Sequence, residues 1–268
     1  MSRFIDRLES LEKSSAPSMG FHRAEADAMP LCMLVAVELN GKPEDELKEV
    51  ATTGAAAGIL DPAGLTPAAL VKYLKNKVDM PVGLVLGGGK TGTGSKPEGS
   101  DIDFIVFDMN LPVKSLAGNE SGSVGRILRL DTGIESGLLR SVHGLQPGIE
   151  AVIIDIRVPS LTIETLMHCR KAADFTGQPI IALAVSKLTV AELAALRDAG
   201  VKCLVLPAGS TAAEISSLID DIRALPKPEK KKGKKGIAIL PRMGLAPAPK
   251  EEEGDDGDDG DDDGDDDD

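Results

Sequence analysis

Eight short apolar runs, rich in aliphatic and β-branched residues, recur between residues 30 and 209. They are LCMLVAVE (31–38), GAAAGILD (54–61), MPVGLVLGGG (80–89), IDFIVFD (102–108), RILRLD (126–131), EAVIID (150–155), PIIALAV (179–185) and VKCLVLPAG (201–209). Most are followed by a turn signal and then by apolar residues at helical spacing. Short apolar runs alternating with helices imply parallel strands buried on both faces. Eight such units predict a closed (β/α)8 barrel over residues 30–225. An open doubly wound parallel sheet is the alternative, should the runs at 102–107 and 126–131 pair differently.

The connecting segments are uneven. Pro43 followed by Glu44, Asp45 and Glu46 predicts a helix to about Thr53, because proline fits the first helical position and the dipole favours early acidic charge. Thr66 and Pro67 open TPAALVKYLKNKV, and residues 134–142 regain helical spacing. TIETLMHCRKAADF, TVAELAALRDAG and TAAEISSLIDDIRAL each start on a threonine that can cap them. Glu214, three residues after Thr211, fits a capping box, whereas Glu164 follows Thr162 by only two. Residues 87–101 and 109–125 are too rich in Gly, Ser, Asn and Pro for confident helices, so the third and fourth crossovers are degenerate. The N-terminal segment, 1–29, places Phe4, Ile5, Leu8 and Leu11 at helical spacing, which predicts an amphipathic helix that caps the barrel bottom or docks on a partner.

Charge divides the chain again. The net charge is −13, yet residues 251–268 hold three Glu and eleven Asp. Taking those 14 from the 43 acidic residues, and Lys250 from the 30 basic ones, leaves 29 of each, so residues 1–249 are formally neutral. Residues 226–268, lysine-rich and then aspartate-rich, are expected to be a disordered tail, because they cannot bury enough apolar surface. That tail is a candidate for self-association or for a protein partner. A neutral body with no Trp and one Tyr excludes nucleic-acid binding through the folded domain. No run reaches the length of a membrane span, and no signal peptide is evident, so the expected location is cytoplasmic. Cys32, Cys169 and Cys203 lie in apolar patterns without ligand spacing, which predicts buried thiols.

Candidate chemistry lies at the strand ends, where (β/α)8 barrels carry their catalytic groups. By alternation, Asp61 shares a side with Ile59, Asp108 with Val106, Asp155 with Ile153 and Glu38 with Ala36. If that side faces inward, Asp61, Asp108, Asp131 and Asp155 are candidates for general base or for metal ligation. Arg129 and Arg157 lie on the same sides as Asp131 and Asp155, so a ring of ion pairs sealing the barrel top is the competing expectation. The Gly-rich loop GLVLGGGKTGTGSK lacks the P-loop spacing and runs on towards a strand; it is read as a lid in which Lys90 can reach an anion. The histidines, His22, His143 and His168, sit away from strand ends. No cofactor and no specific metal is indicated.

The final unit, RDAGVKCLVLPAGSTAAEI, resembles the strand-eight half of the phosphate-binding (β/α)8 barrels, in which a helix start after the strand cradles a phosphate. The resemblance implies an anion site at Gly209, Ser210 and Thr211, with Lys187 from the preceding unit. The strand-seven loop departs from that pattern, since AVSKLTVAEL has no glycine. The functional expectation is a barrel that binds a small anionic, phosphorylated ligand at its C-terminal mouth, with lyase or isomerase chemistry. The alternative is a non-catalytic barrel serving as a scaffold.

Overall fold

The computed structural model describes residues 2–15, 31–41, 46–63, 65–74, 78–87, 101–116, 124–146, 148–185 and 187–226. The predicted tail beyond Pro226, the lid with Lys90 and the proline at 43 lie outside them. Among the described residues eight strands form: β1 (Leu34–Leu39), β2 (Ala57–Leu60), β3 (Val82–Leu86), β4 (Phe104–Asp108), β5 (Gly125–Leu130), β6 (Ala151–Asp155), β7 (Ile180–Leu183) and β8 (Val201–Leu206). Each pairs in parallel with its neighbours, and β8 pairs back onto β1 through Leu34 with Cys203 and Ala36 with Val205. That pairing closes the barrel and overturns the open-sheet alternative.

Among the described residues seven α-helices accompany the strands: α1 (Arg3–Ser15), α2 (Glu46–Thr52), α3 (Pro67–Leu74), α4 (Ser136–Ser141), α5 (Ile163–Thr176), α6 (Val190–Asp198) and α7 (Ala212–Arg223). Among the described residues the crossover from β4 to β5 holds only a short 3-10 turn, Val113–Ser115, as its Gly and Pro content predicts. In the second half, Thr162, Thr189 and Thr211 each accept a hydrogen bond from the backbone N–H three residues on. Caps of this kind typically contribute about 1 kcal/mol each. The Thr189–Glu192 capping box mirrors the one at Thr211 and Glu214.

Strand alternation separates two cores. Ala36, Ile59, Val85, Val106, Ile127, Ile153, Leu183 and Val205 pack inside the barrel, whereas Leu60, Leu84, Ile105, Leu128, Ile154 and Leu204 pack against the helices. The inward side is therefore the side that carries Asp108, Arg129, Asp155 and Glu38 one step further along.

Helix α1 closes the opposite end. Phe4 and Leu8 are fully buried and, with Ile5, join the interior core; the Phe4 ring lies 4.8 Å from that of Phe104. Space for it comes from small residues. A Cβ at Gly125 would stand 2.7 Å from the Ile5 side chain, and a Cβ at Gly83 would overlap the Phe104 ring. Asp103, just before β4, caps the helix: it accepts from Ser2 Oγ at 2.6 Å, Arg3 N–H at 2.8 Å and Phe4 N–H at 3.0 Å. Arg7 donates to Ala56 O at 2.9 Å. Of the two roles expected for this helix, it performs the capping one.

Candidate functional site

At the C-terminal mouth the inward positions change from apolar to charged within one alternation. Val106 is followed by Asp108, Ile127 by Arg129, Ile153 by Asp155 and Ala36 by Glu38, so three carboxylates and one guanidinium rise directly above the packed interior. Arg157, two residues beyond Asp155, adds the second guanidinium. Its Nε lies 3.0 and 3.1 Å from the two Asp155 oxygens and its Nη2 lies 2.5 Å from Oδ2, while its backbone N–H also donates to Asp155 at 3.0 Å. Its Nη1 reaches both Glu38 oxygens at 3.4 Å. Since β7 and β8 separate β6 from β1, Arg157 spans the mouth.

Electrostatics fix the state of this pair. Burial pushes the Asp155 carboxyl up, but the hydrogen bonds from the Arg157 side chain and backbone, helped by the charges of Arg157 and Arg129, outweigh it and hold the carboxyl below its ordinary value. The side-chain hydrogen bonds to Asp155, with the charges of Glu38 and Asp155, raise Arg157 against its own burial. Asp155 is thus a fixed anion, which suits electrostatic positioning better than proton transfer.

The other half of the ring is loose. Arg129 Nε stands 3.8 Å from Asp108 Oδ1, beyond hydrogen-bond length, and this buried Nε has no hydrogen-bond partner among the described residues. A buried donor left unsatisfied costs about 1–3 kcal/mol. Asp108 therefore sits beside a guanidinium that has an N–H to spare.

The remaining candidates do not join the ring. Asp61, exposed after β2, accepts from the backbone N–H of Ala63 at 2.9 Å and closes a local turn. Asp131 is exposed and lines a small notch with Thr132, His168 and Lys171, walled by Leu130 and Ile154 on the helix-facing side of the sheet. Lys171 there donates to Ile134 O at 2.5 Å. At the predicted anion site, Gly209 takes the left-handed φ of 87° that its turn needs, and Ser210 Oγ donates to Pro207 O at 2.8 Å. Thr211 N–H donates to Glu214 at 2.9 Å. The start of α7 thus carries its own anion. Hydrogen bonds from Thr211 backbone and side chain, with a contribution from the exposed Lys187, hold the Glu214 carboxyl low. Glu192 plays the same part at α6.

Alternation put Asp108 on the side of Val106, Asp155 and Arg157 on the side of Ile153, and Arg129 on the side of Asp131, with the inward facing left open; it missed that Arg157 bridges to Glu38 and that Arg129 Nε has no partner among the described residues. The Asp-x-Arg spacing at 155 and 157 signalled the first pair; nothing local signals a contact across 119 residues of chain. Cys169 and Cys203 are buried as expected, whereas Cys32, just ahead of β1, is only partly covered. Among the described residues, no group of three or more His, Cys, Asp or Glu is placed to hold a metal ion, and no helix is long and apolar enough to cross a membrane.

No protein-family model and no curated protein matches the chain. Solved structures do. Two point mutants of the tryptophan synthase alpha-subunit from the hyperthermophile Pyrococcus furiosus align with TM-scores of 0.54 and 0.53 at 12% identity, each over 72% of this chain and 97% of the other. The apo homocysteine methyltransferase MmuM from Escherichia coli aligns with a TM-score of 0.50 at 14% identity, over 70% of this chain and 95% of the other. At such identities the likeness carries the architecture alone: this chain has the (β/α)8, or TIM-barrel, fold.

Proposed function

We propose that this barrel binds a small anionic ligand, carrying a phosphate or carboxylate, at its C-terminal mouth, with Arg129 as the anion anchor. The observation that carries the reading is the buried Arg129 Nε–H without an acceptor, facing inward beside Asp108. A ligand oxyanion would satisfy that donor and gain a charge-assisted hydrogen bond. Asp108, loosely paired and adjacent, is then the carboxylate positioned to exchange a proton with the bound molecule, while Asp155 and Arg157, on the neighbouring strand β6, hold each other and shape the adjoining wall. Proton abstraction next to a carbonyl, or carbon–carbon lyase chemistry, suits that arrangement. Lys187 and the Gly209 to Thr211 turn belong to a secondary, weaker anion contact, because Glu214 already occupies the helix start.

The test is thermal unfolding with added phosphate and, separately, with a small dicarboxylate. Saturating ligand stabilises by mass action, here by about 1–3 kcal/mol. Phosphate also stabilises proteins by exclusion from their surface, so the comparison is with Arg129→Met. A stabilisation present in the wild type and absent in Arg129→Met supports the reading. Equal stabilisation of both proteins, or of neither, removes the site. One observation favours the scaffold reading in that event: Arg157 already bridges Asp155 and Glu38 across the mouth, so part of the ring is tied up in its own ion pairs.

A further inference from the structure

The mouth carries receptors for both signs of charge, side by side. Asp108 and Arg129 are register partners on β4 and β5, so their side chains leave neighbouring strands at one level. Asp108 Oδ1 lies 3.8 Å from Arg129 Nε, and the two side chains are 35% and 33% exposed, so a solute can reach both. Among the described residues no N–H or O–H donates to the Asp108 carboxylate, just as no acceptor meets Arg129 Nε. Asp155 offers the contrast: it takes hydrogen bonds from the Arg157 backbone, Nε and Nη2. Asp108 and Arg129 are an unclosed pair, held at a fixed spacing by the strands that carry them.

An anion alone on Arg129 suits this place poorly. The ring sets the carboxylates of Glu38, Asp108 and Asp155 against the guanidiniums of Arg129 and Arg157, so carboxylates are already in excess among the described residues. An added anion would stand beside Asp108, and like charges a few ångströms apart repel, more strongly where burial lowers the screening. A ligand with a positive group next to its negative one adds no net charge. Its carboxylate takes the spare Arg129 N–H and its ammonium donates to Asp108, both as charge-assisted hydrogen bonds. Because the two receptors are adjacent, the two charges of the ligand must be adjacent as well, on one carbon. An ammonium several methylenes away from the carboxylate would overshoot Asp108. The part of Asp108 in proton exchange then narrows to the N–H of the ligand.

Resting on the Arg129 anion anchor proposed above, we infer that the ligand of this mouth is an α-amino carboxylate, bound as a zwitterion with its carboxylate on Arg129 and its ammonium on Asp108. The test titrates the full chain, by thermal unfolding, with probes that share a four-carbon chain and differ in their charged groups: succinate, butanoate, L-α-aminobutanoate and γ-aminobutanoate. L-α-Aminobutanoate should bind at least about tenfold more tightly than butanoate, the factor that one charge-assisted hydrogen bond supplies, and more tightly than its γ isomer. The two isomers share one composition, so general exclusion from the protein surface cancels between them. Asp108→Asn keeps the shape and removes the charge; there the advantage over butanoate should disappear while succinate still stabilises. If succinate stabilises through Arg129 but L-α-aminobutanoate ranks no higher than butanoate or the γ isomer, the inference is overturned and the anion anchor stands. If succinate, phosphate and L-α-aminobutanoate all fail to stabilise, anchor and inference fall together. A preference that persists in Asp108→Asn overturns the pairing with Asp108. So does a preference that appears only in Lys90→Met, because a lysine of the chain then holds the place of the cation.

Discussion

The two ends of this barrel solve opposite problems with the same strands. At the N-terminal end, small inward residues leave a hollow that Phe4, Ile5 and Leu8 fill, and Asp103 accepts the Arg3 and Phe4 N–H groups of α1 while Ser2 Oγ accepts that of Ile5. At the C-terminal end the inward positions turn into Glu38, Asp108, Arg129 and Asp155, and one guanidinium donor is left without an acceptor. At the bottom the first backbone donors of α1 are met by Asp103 and Ser2, whereas at the top Arg129 Nε meets no acceptor among the described residues. A helix end with its donors capped belongs to stability. An end with a spare buried donor costs stability, which is the usual signature of a place where something binds.

The strongest way to break that comparison is at the bottom. Phe4→Ala empties a fully buried site inside the barrel, and such truncations cost about 3–5 kcal/mol. Chemical denaturation should show that loss, with phosphate stabilisation of the remaining folded protein retained. If Phe4→Ala costs less than about 1 kcal/mol, α1 is not the plug its burial indicates. Asp103→Ala should follow at about 1–2 kcal/mol, the range for losing a helix cap. A helical signal by circular dichroism that falls with it would show α1 detaching.

At the top the sign reverses. Arg129→Met keeps an apolar stem of similar length and removes the unsatisfied donor, so it should leave stability unchanged or raise it by up to about 1 kcal/mol. The same variant loses the ligand-dependent shift. A clear loss of stability on its own would show that the loose contact with Asp108 is a structural pair after all.

The smallest effect concerns pH. The Asp155 carboxyl is held below its ordinary value in the fold, so the unfolded chain takes up that proton more readily than the folded one. Its contribution is complete above the ordinary carboxylate range and is lost as pH falls through the lowered folded value. Glu192 and Glu214 act with the same sign. Unfolding midpoints should therefore drop below about pH 4, and Asp155→Asn should flatten the drop without abolishing it. An identical pH profile in that variant would sever Asp155 from Arg157. Thiol reactivity sharpens the picture of the walls: burial raises Cys169 to about 11 and pushes Cys203 up as well, so both should react slowly, with Cys32 first.

Period-2 alternation and threonine caps are local signals, so the eight strands, the second-half helices and the side that Glu38, Asp108 and Asp155 share with interior residues were legible in the residues themselves. Asp108 and Asp155 were found that way. Asp131 shared the parity but turns aside beyond the end of β5 to line a notch by α5, because alternation stops being a guide where the strand stops. The weak fourth crossover was legible too among its described residues, since Gly and Pro disfavour helices whatever surrounds them, while the third lies outside the described residues.

What the chain alone determined is therefore which residues form strands and which of them share a face. Tertiary structure decided what those residues meet. Closure of β8 onto β1 set Glu38 within reach of Arg157, the empty space beside Gly83 and Gly125 chose α1 as the plug, and Glu214 took the helix start that a phosphate would have used. Each of these pairs residues far apart in sequence or competing for one group. Such choices depend on distances and on spare hydrogen-bonding capacity, which exist only once the barrel has closed.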